Sequence, residues 1–219
     1  MSVRKTDIPL LKTRTGIDQV QRDDGQKRFF DPRFNAISVM VLPGRHYVSA
    51  HPGEMIVTLL GSCVAACIRD PEAGVGGLNH FLLPASDTGT WGGTDAAMRY
   101  GNYAMEVLIN DLIKRGASKA RLEVKIFGGS NLIDSEAGAP VGQRNVEFVD
   151  RYLDEEGLRP VARHVGGNIP RRIHYYPVSG RVRMLLLRRK TDPELFRQEA
   201  DLARSARQRP IEGDIELYD

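Results

Sequence analysis

The stretch from Thr58 to Pro84, TLLGSCVAACIRDPEAGVGGLNHFLLP, constrains this chain more than any other. Two apolar runs flank Asp70-Pro71-Glu72-Ala73-Gly74, a strong turn signal. That pattern predicts an antiparallel hairpin. With Arg69 opposite Gly74 around a four-residue loop, Cys67 faces Gly76, Ala65 faces Leu78 and Cys63 faces His80. Directly opposed residues share one face, with Cβ atoms about 5 Å apart. The spacing therefore sets a thiol beside an imidazole. Register decides the pairing, since a one-residue slip would put Asn79 or Phe81 opposite Cys63 instead.

A thiol becomes a strong nucleophile on deprotonation, and a neighbouring imidazole can take its proton. Attack on a carbonyl carbon creates an oxyanion that needs preorganised donors. The backbone around Gly61, Ser62 and Cys63 is the candidate source, with Gly61 allowing a nest geometry. The imidazole also needs a polar group to orient it. Thr58, Ser62, Asp70 and Asn79 are the local candidates, and Asn79 points to the opposite strand face from His80. A buried cysteine near a histidine is also a common packing arrangement, so spacing alone leaves both readings open.

The motifs GSCVAACIRDP and GGLNHFLLP resemble the signature of the chemoreceptor glutamine deamidases, the CheD family. KIFGGSNL (Lys125–Leu132), GQRNV (Gly142–Val146) and GGNIPRRIHYYPVSGRV (Gly166–Val182) resemble the same family in the same order. The likeness runs from about Val48 to Arg188. It implies a protein-glutamine deamidase that converts glutamines of methyl-accepting chemotaxis receptors to glutamate and ammonia. It implies Cys63 as nucleophile, His80 as general base and acid, and Thr58 as the third participant. It also implies receptors as substrate, a CheC-type chemotaxis phosphatase as a further partner, and no metal or organic cofactor. Two rival readings remain at this point: a receptor methylesterase using the same thioester chemistry, and a regulatory binding module.

Length and composition set the remaining bounds. A chain of 219 residues with 41% apolar content suits one well-cored domain. No apolar run approaches the ~20 residues of a membrane span, and Met1–Gln26 lacks a signal-peptide core. Two cysteines four residues apart suit reduced thiols, and a cytoplasmic setting is expected. Cys67 shares the face of Cys63 and is expected as a small core residue. A formal charge of +3, with no basic run interleaved with aromatics, does not support nucleic-acid binding. Arg171-Arg172 and Arg188-Arg189-Lys190 are expected on a solvated sheet edge, with guidance of an acidic partner as the functional alternative.

Residues 1–40 read as a charged, partly disordered extension able to dock through Phe29, Phe30 and Phe34. The catalytic domain is expected over 41–190, and a charged helix and tail over 191–219. Within the domain, Ile56–Leu60 reads as a strand, and Pro84–Gly93 as a loop leading to Thr94 as a helix cap. Ala97, Tyr100, Ala104, Leu108 and Leu112 have helical spacing, stopped by Gly116. A second helix is expected from about Gln143 to Glu156. Strands are expected at Leu122–Ile126, Pro160–Val165, Arg172–Tyr176 and Arg181–Arg188. Strands with segregated helices predict an α+β class. The resemblance implies a layered α/β/β sandwich.

His46, His51 and Glu54 lack metal-ligand spacing and read as loop residues. His164 and His174 read as structural strand histidines. Gly76-Gly77 and Gly128-Gly129 lack a phosphate-loop pattern and are expected to allow close backbone approach. Asn131 is a candidate pocket residue with Arg144 and Asn145, helix capping being the other account of Asn131.

Overall fold

The computed structural model describes residues 27–83, 94–131 and 140–187, with side chains of the first helix described from Tyr100 onward. Among the described residues, ten strands form two five-stranded sheets. Sheet A has the order β1 (Arg28–Asp31), β2 (Ala36–Met40), β4 (Glu54–Leu60), β9 (Arg171–Tyr175) and β10 (Val182–Leu186). Sheet B has the order β3 (Arg45–Ser49), β6 (Val75–His80), β5 (Val64–Asp70), β7 (Glu123–Gly128) and β8 (Pro160–Val165). The pairs β2–β4 and β7–β8 are parallel, and the others are antiparallel. Among the described residues, the helices α1 (Thr94–Lys114) and α2 (Val141–Glu155) cover sheet B.

Strand alternation distributes the side chains among three layers. On β5, Val64, Ala66 and Ile68 join Leu108, Leu112 and Phe148 in a core beneath the helices. Ala65 and Cys67, with Cys63 just ahead of the strand, turn the other way. They meet Ile56, Leu60, Ile173 and Tyr175 of sheet A in a second core between the sheets. Met55 and Val57 face outward from sheet A and pack with Ala36 and Tyr176. The result is the expected α+β architecture in α/β/β layers. Gly77 lets the helical layer close, since a Cβ there would lie 2.7 Å from both Leu108 Cδ1 and Val48 Cγ2.

Three expectations need correction. Within the supposed extension, residues 28–40 form β1 and β2, and β2 pairs with β4 inside sheet A. Asp31 marks the turn between them: its carboxylate takes the Arg33 amide and guanidinium, and Asn35 has a φ of 48°. The two strands are only four and five residues long, too short for a sustained period in the sequence. Phe34 does dock, against the outer face of sheet A and beside His174. Residues 1–26, the 84–93 loop and the C-terminal helix expected over 193–207 lie outside the described residues.

The second correction concerns register. The hairpin pairs Asp70 with Val75, Arg69 with Gly76 and Cys67 with Leu78. The loop still holds four residues, but it is Pro71–Gly74. Two features fix it there. The Asp70 carboxylate accepts the Glu72 and Ala73 amides, and Gly74 takes a φ of 63° inside the turn. The partner of each β5 residue therefore moves by two positions, which preserves every face. Thirdly, Arg171 does not lie on a solvated edge. It is 1% exposed, because β9 is an interior strand and its guanidinium runs back beneath neighbouring loops.

Candidate active site

Thr58 and His80 come from different sheets. On β4, Ile56, Thr58 and Leu60 share the face turned toward sheet B, while on β6 His80 shares a face with Leu78, turned toward sheet A. The Thr58 hydroxyl thus lies 2.8 Å from His80 Nδ1 and 2.8 Å from the Val41 carbonyl oxygen. A carbonyl can only accept, so the hydroxyl donates to Val41 and receives the Nδ1–H of His80. This assignment leaves Nε2 as the bare, basic nitrogen. Nε2 is buried and makes no hydrogen bond. Burial pushes the His80 pKa down to about 4, so the ring is neutral at physiological pH.

Cys63 lies between β4 and β5 and is fully buried in the inter-sheet core. Val64 and Phe81 exchange backbone hydrogen bonds in the hairpin register, which continues to place Ala65 across from His80. Cys63 is then diagonal to His80 on the same face rather than directly opposite. The thiol and the imidazole Nε2 are not hydrogen-bonded, since Nε2 is unpartnered. Diagonal strand neighbours lie about 7–8 Å apart, and catalytic contacts commonly tighten only when substrate binds.

The cysteine segment is held by its carbonyls. Ser130 N–H donates to the Gly61 carbonyl at 2.7 Å, and Gly129 N–H to the Cys63 carbonyl at 2.7 Å. Asn145 Nδ2, on α2, donates to the Ser62 carbonyl at 2.8 Å. The left-handed backbone required for this close approach belongs to the facing loop: Gly128 has a φ of 115°, and a Cβ there would sit 2.1 Å from the Cys63 carbonyl oxygen. Arg171 braces that loop through the Gly128 carbonyl and the Ser130 hydroxyl, and it also takes the His164 and Gly166 carbonyls.

Of the sequence-predicted set, Thr58, His80 and Cys63 converge between the sheets, and Gly61 and Ser62 are in the anchored segment. Asn131 does not join them: it is exposed, with its backbone N–H on the Gly167 carbonyl. Asn79 faces the helices, where it binds the Ala66 amide and the Ala104 carbonyl. Asp70 is spent on the hairpin turn and Arg121. Cys67 is in the core, where burial pushes its thiol pKa far up. Neither cysteine forms a disulfide. His46 pairs with Asp111, His51 accepts the Gly53 amide, and Glu54 accepts Tyr47 and Ser49 hydroxyls. Among the described residues no cluster of metal-ligating side chains occurs, and no helix is long and apolar enough to cross a membrane.

Sequence reasoning missed the anchoring roles of Asn145 and Arg171. Both belong to family-like motifs, GQRNV and GGNIPRRIHYYPVSGRV, but neither shows by spacing that it reaches the cysteine loop.

Comparison with known proteins agrees with the motifs. Residues 82–185 match the family model CheD, described as chemotactic sensory transduction. Cys63 and His80 precede that stretch. A relative from Rhodopseudomonas palustris (strain BisA53) is 50% identical over 195 residues, covering 89% of this chain and 91% of its own length. One from Caulobacter vibrioides (strain NA1000 / CB15N) is 47% identical, covering 86% of this chain and 96% of its own. A third, from Halorhodospira halophila, is 43% identical, covering 87% and 89%. Each of these relatives is named a probable chemoreceptor glutamine deamidase CheD.

Proposed function

The chain belongs to the CheD family, and we propose that it is a protein-glutamine deamidase acting on chemotaxis receptors through Cys63, His80 and Thr58. The observation that carries the residue assignment is the state of His80. Its Nδ1 is committed to Thr58, and its Nε2 is buried, unprotonated and without a hydrogen bond, on the β6 face that Leu78 shares and that turns toward Cys63.

In the proposed reaction, Nε2 takes the Cys63 thiol proton as Sγ attacks the carbonyl carbon of the glutamine side chain. The carbonyl oxygen gains the charge, which backbone N–H groups of the cysteine segment receive. The intermediate collapses, the C–N bond breaks, and the imidazolium protonates the leaving nitrogen to give ammonia. A water then gives a proton to Nε2 while its oxygen attacks the thioester. The second intermediate expels the cysteine sulfur, which recovers the proton, and glutamate leaves. Thr58 holds the ring in the tautomer that both halves require. The reaction needs no redox partner.

We set this reaction in the cytoplasm, on receptor cytoplasmic segments, with a CheC-type phosphatase as a binding partner. Mass spectrometry of a receptor cytoplasmic fragment incubated with the intact protein and with Cys63→Ala tests the assignment. A gain of about 1 Da at discrete glutamines, absent with the variant, is the expected result. A shift that persists with Cys63→Ala would overturn the nucleophile. Binding without any shift would favour a regulatory module, and methanol release from methylated receptor would favour the esterase.

A further inference from the structure

Asn145 is fully buried on α2, and its side-chain amide joins the two catalytic segments. Nδ2 donates to the Ser62 carbonyl at 2.8 Å, and Oδ1 accepts the Leu83 amide at 2.9 Å. Ser62 immediately precedes Cys63, and Leu83 follows His80 by three residues. One planar amide therefore fixes the cysteine loop and the end of the histidine strand to the same helix.

The bond to Ser62 has a consequence for chemistry. The Ser62 carbonyl and the Cys63 N–H belong to one trans peptide, so they point in opposite directions. Asn145 holds the carbonyl toward the helical layer. The Cys63 N–H, on the opposite side of the same peptide, is thereby turned away from α2. When a nucleophile attacks a carbonyl, its own backbone N–H is well placed to receive the developing oxyanion, provided that the peptide is locked beforehand. The Gly61 and Cys63 carbonyls are anchored by backbone donors of Ser130 and Gly129, which no side-chain substitution at 129 or 130 supplies or removes directly. The middle peptide depends on the side chain of Asn145.

Resting on the deamidase reading above, we propose that Asn145 is the positioning residue for the oxyanion site: it locks the Ser62–Cys63 peptide so that the Cys63 N–H faces the reacting carbonyl.

The role separates from general support of the fold because alkylation of a thiol at a saturated carbon forms no oxyanion. Asn145→Ala and Asn145→Asp are compared with the intact protein for two rates. One is deamidation of a receptor fragment, resolved into kcat and KM. The other is iodoacetamide modification of Cys63, located by tandem mass spectrometry apart from Cys67. Asn145→Asp keeps the acceptor for Leu83 and the side-chain shape. Assayed at raised pH, its ionised carboxylate sets an oxygen without a proton against the Ser62 carbonyl, while the alkylation rate reports whether each variant is folded.

The expected result is a kcat reduced about 10²–10³-fold in both variants, the cost of losing one oxyanion donor, with KM little changed and alkylation as fast as in the intact protein or faster. Deamidation at the intact rate in Asn145→Asp would overturn the proposal. So would a parallel loss of deamidation and alkylation, which would mean that Asn145 sustains the thiol or the fold instead. Cys63→Ala, run alongside, reports on the underlying reading separately: ammonia release from that variant would sink the cysteine mechanism whatever Asn145 does.

Discussion

Thr58 and His80 meet at 2.8 Å across the gap between two sheets, and the hydroxyl also holds the Val41 carbonyl at 2.8 Å. The bond sets the tautomer as well as the position of the ring. Thr58→Val retains the shape and removes both hydroxyl contacts, leaving the buried Val41 carbonyl and the ring N–H under-satisfied, with only each other as partners. A loss of about 1–3 kcal/mol in stability is expected from such groups. Turnover should fall by part of the ~10²–10⁴-fold that a general acid–base supplies, and Thr58→Ser should recover most of it. Urea unfolding and ammonia release measure the two effects. Equal turnover for the serine and valine variants would remove Thr58 from the mechanism.

Burial lowers the His80 pKa from an ordinary 6.5 to about 4. The folded ring resists a proton that the unfolded chain accepts, so acid weakens the fold. This contribution is present in full above pH 6.5 and is lost as the pH falls toward 4. Its full extent is about 3 kcal/mol. Asp31 and Asp70, held below the carboxylate range by hydrogen bonds from Arg33 and Arg121, act in a lower window, below about pH 3.8. The stability difference between the intact protein and His80→Gln should therefore narrow from pH 7 to pH 4.5. The acid limb of kcat/KM should lie near 4. A limb near 6.5 would place the working base in a solvated setting.

Legibility of the fold followed from how local each signal is. The helices could be read because Leu108 and Leu112, like Val149 and Leu153, repeat at helical spacing toward one core. The faces of β5 and β6 could be read from period-two alternation, which survives an even slip. Register could not, because it depends on how the Asp70 carboxylate folds over the turn and on the position of Gly74 within it. For the same reason Cys63 and His80 were legible as residues of one face, whereas their diagonal offset was not. Asn145 and Arg171 act through contacts to segments 83 and 43 residues away, and no periodicity encodes a reach of that kind.

Gly128 marks where the cysteine loop tolerates no side chain. Its φ is 115°, and an added Cβ would lie 2.1 Å from the Cys63 carbonyl oxygen. Gly74 also has a positive φ, but a Cβ there would meet nothing within 4 Å. Gly74→Ala should cost about 1 kcal/mol of backbone strain and leave turnover intact. Gly128→Ala should cost more than that and lower turnover severely, since the loop must retreat from Cys63. Thermal melting with parallel ammonia assays separates them. Comparable melting temperatures and rates for both alanines would show that the facing loop is more pliant than its packing implies.

The two cysteines give the sharpest internal contrast, because they share a face and lie four residues apart while differing in what surrounds them. Cys67 pairs with Leu78 inside the β5–β6 ladder and is 1% exposed. Burial pushes its thiol pKa far above the ordinary value, against a weaker pull downward from Lys125. It is a neutral packing group at physiological pH. Cys67→Ala should therefore cost about 1 kcal/mol for the small volume removed and leave turnover within about twofold. Cys63 begins the hairpin outside the ladder, on a segment whose neighbouring carbonyls are all anchored. Cys63→Ala should cost a similar ~1 kcal/mol, since Cys63 too is fully buried in the inter-sheet core, and abolish ammonia release. Cys63→Ser should do almost the same, since a hydroxyl at that place is far harder for a neutral imidazole to deprotonate. If Cys67→Ala proved as inactive as Cys63→Ala while remaining folded, the division between a reacting thiol and a packing thiol would be wrong.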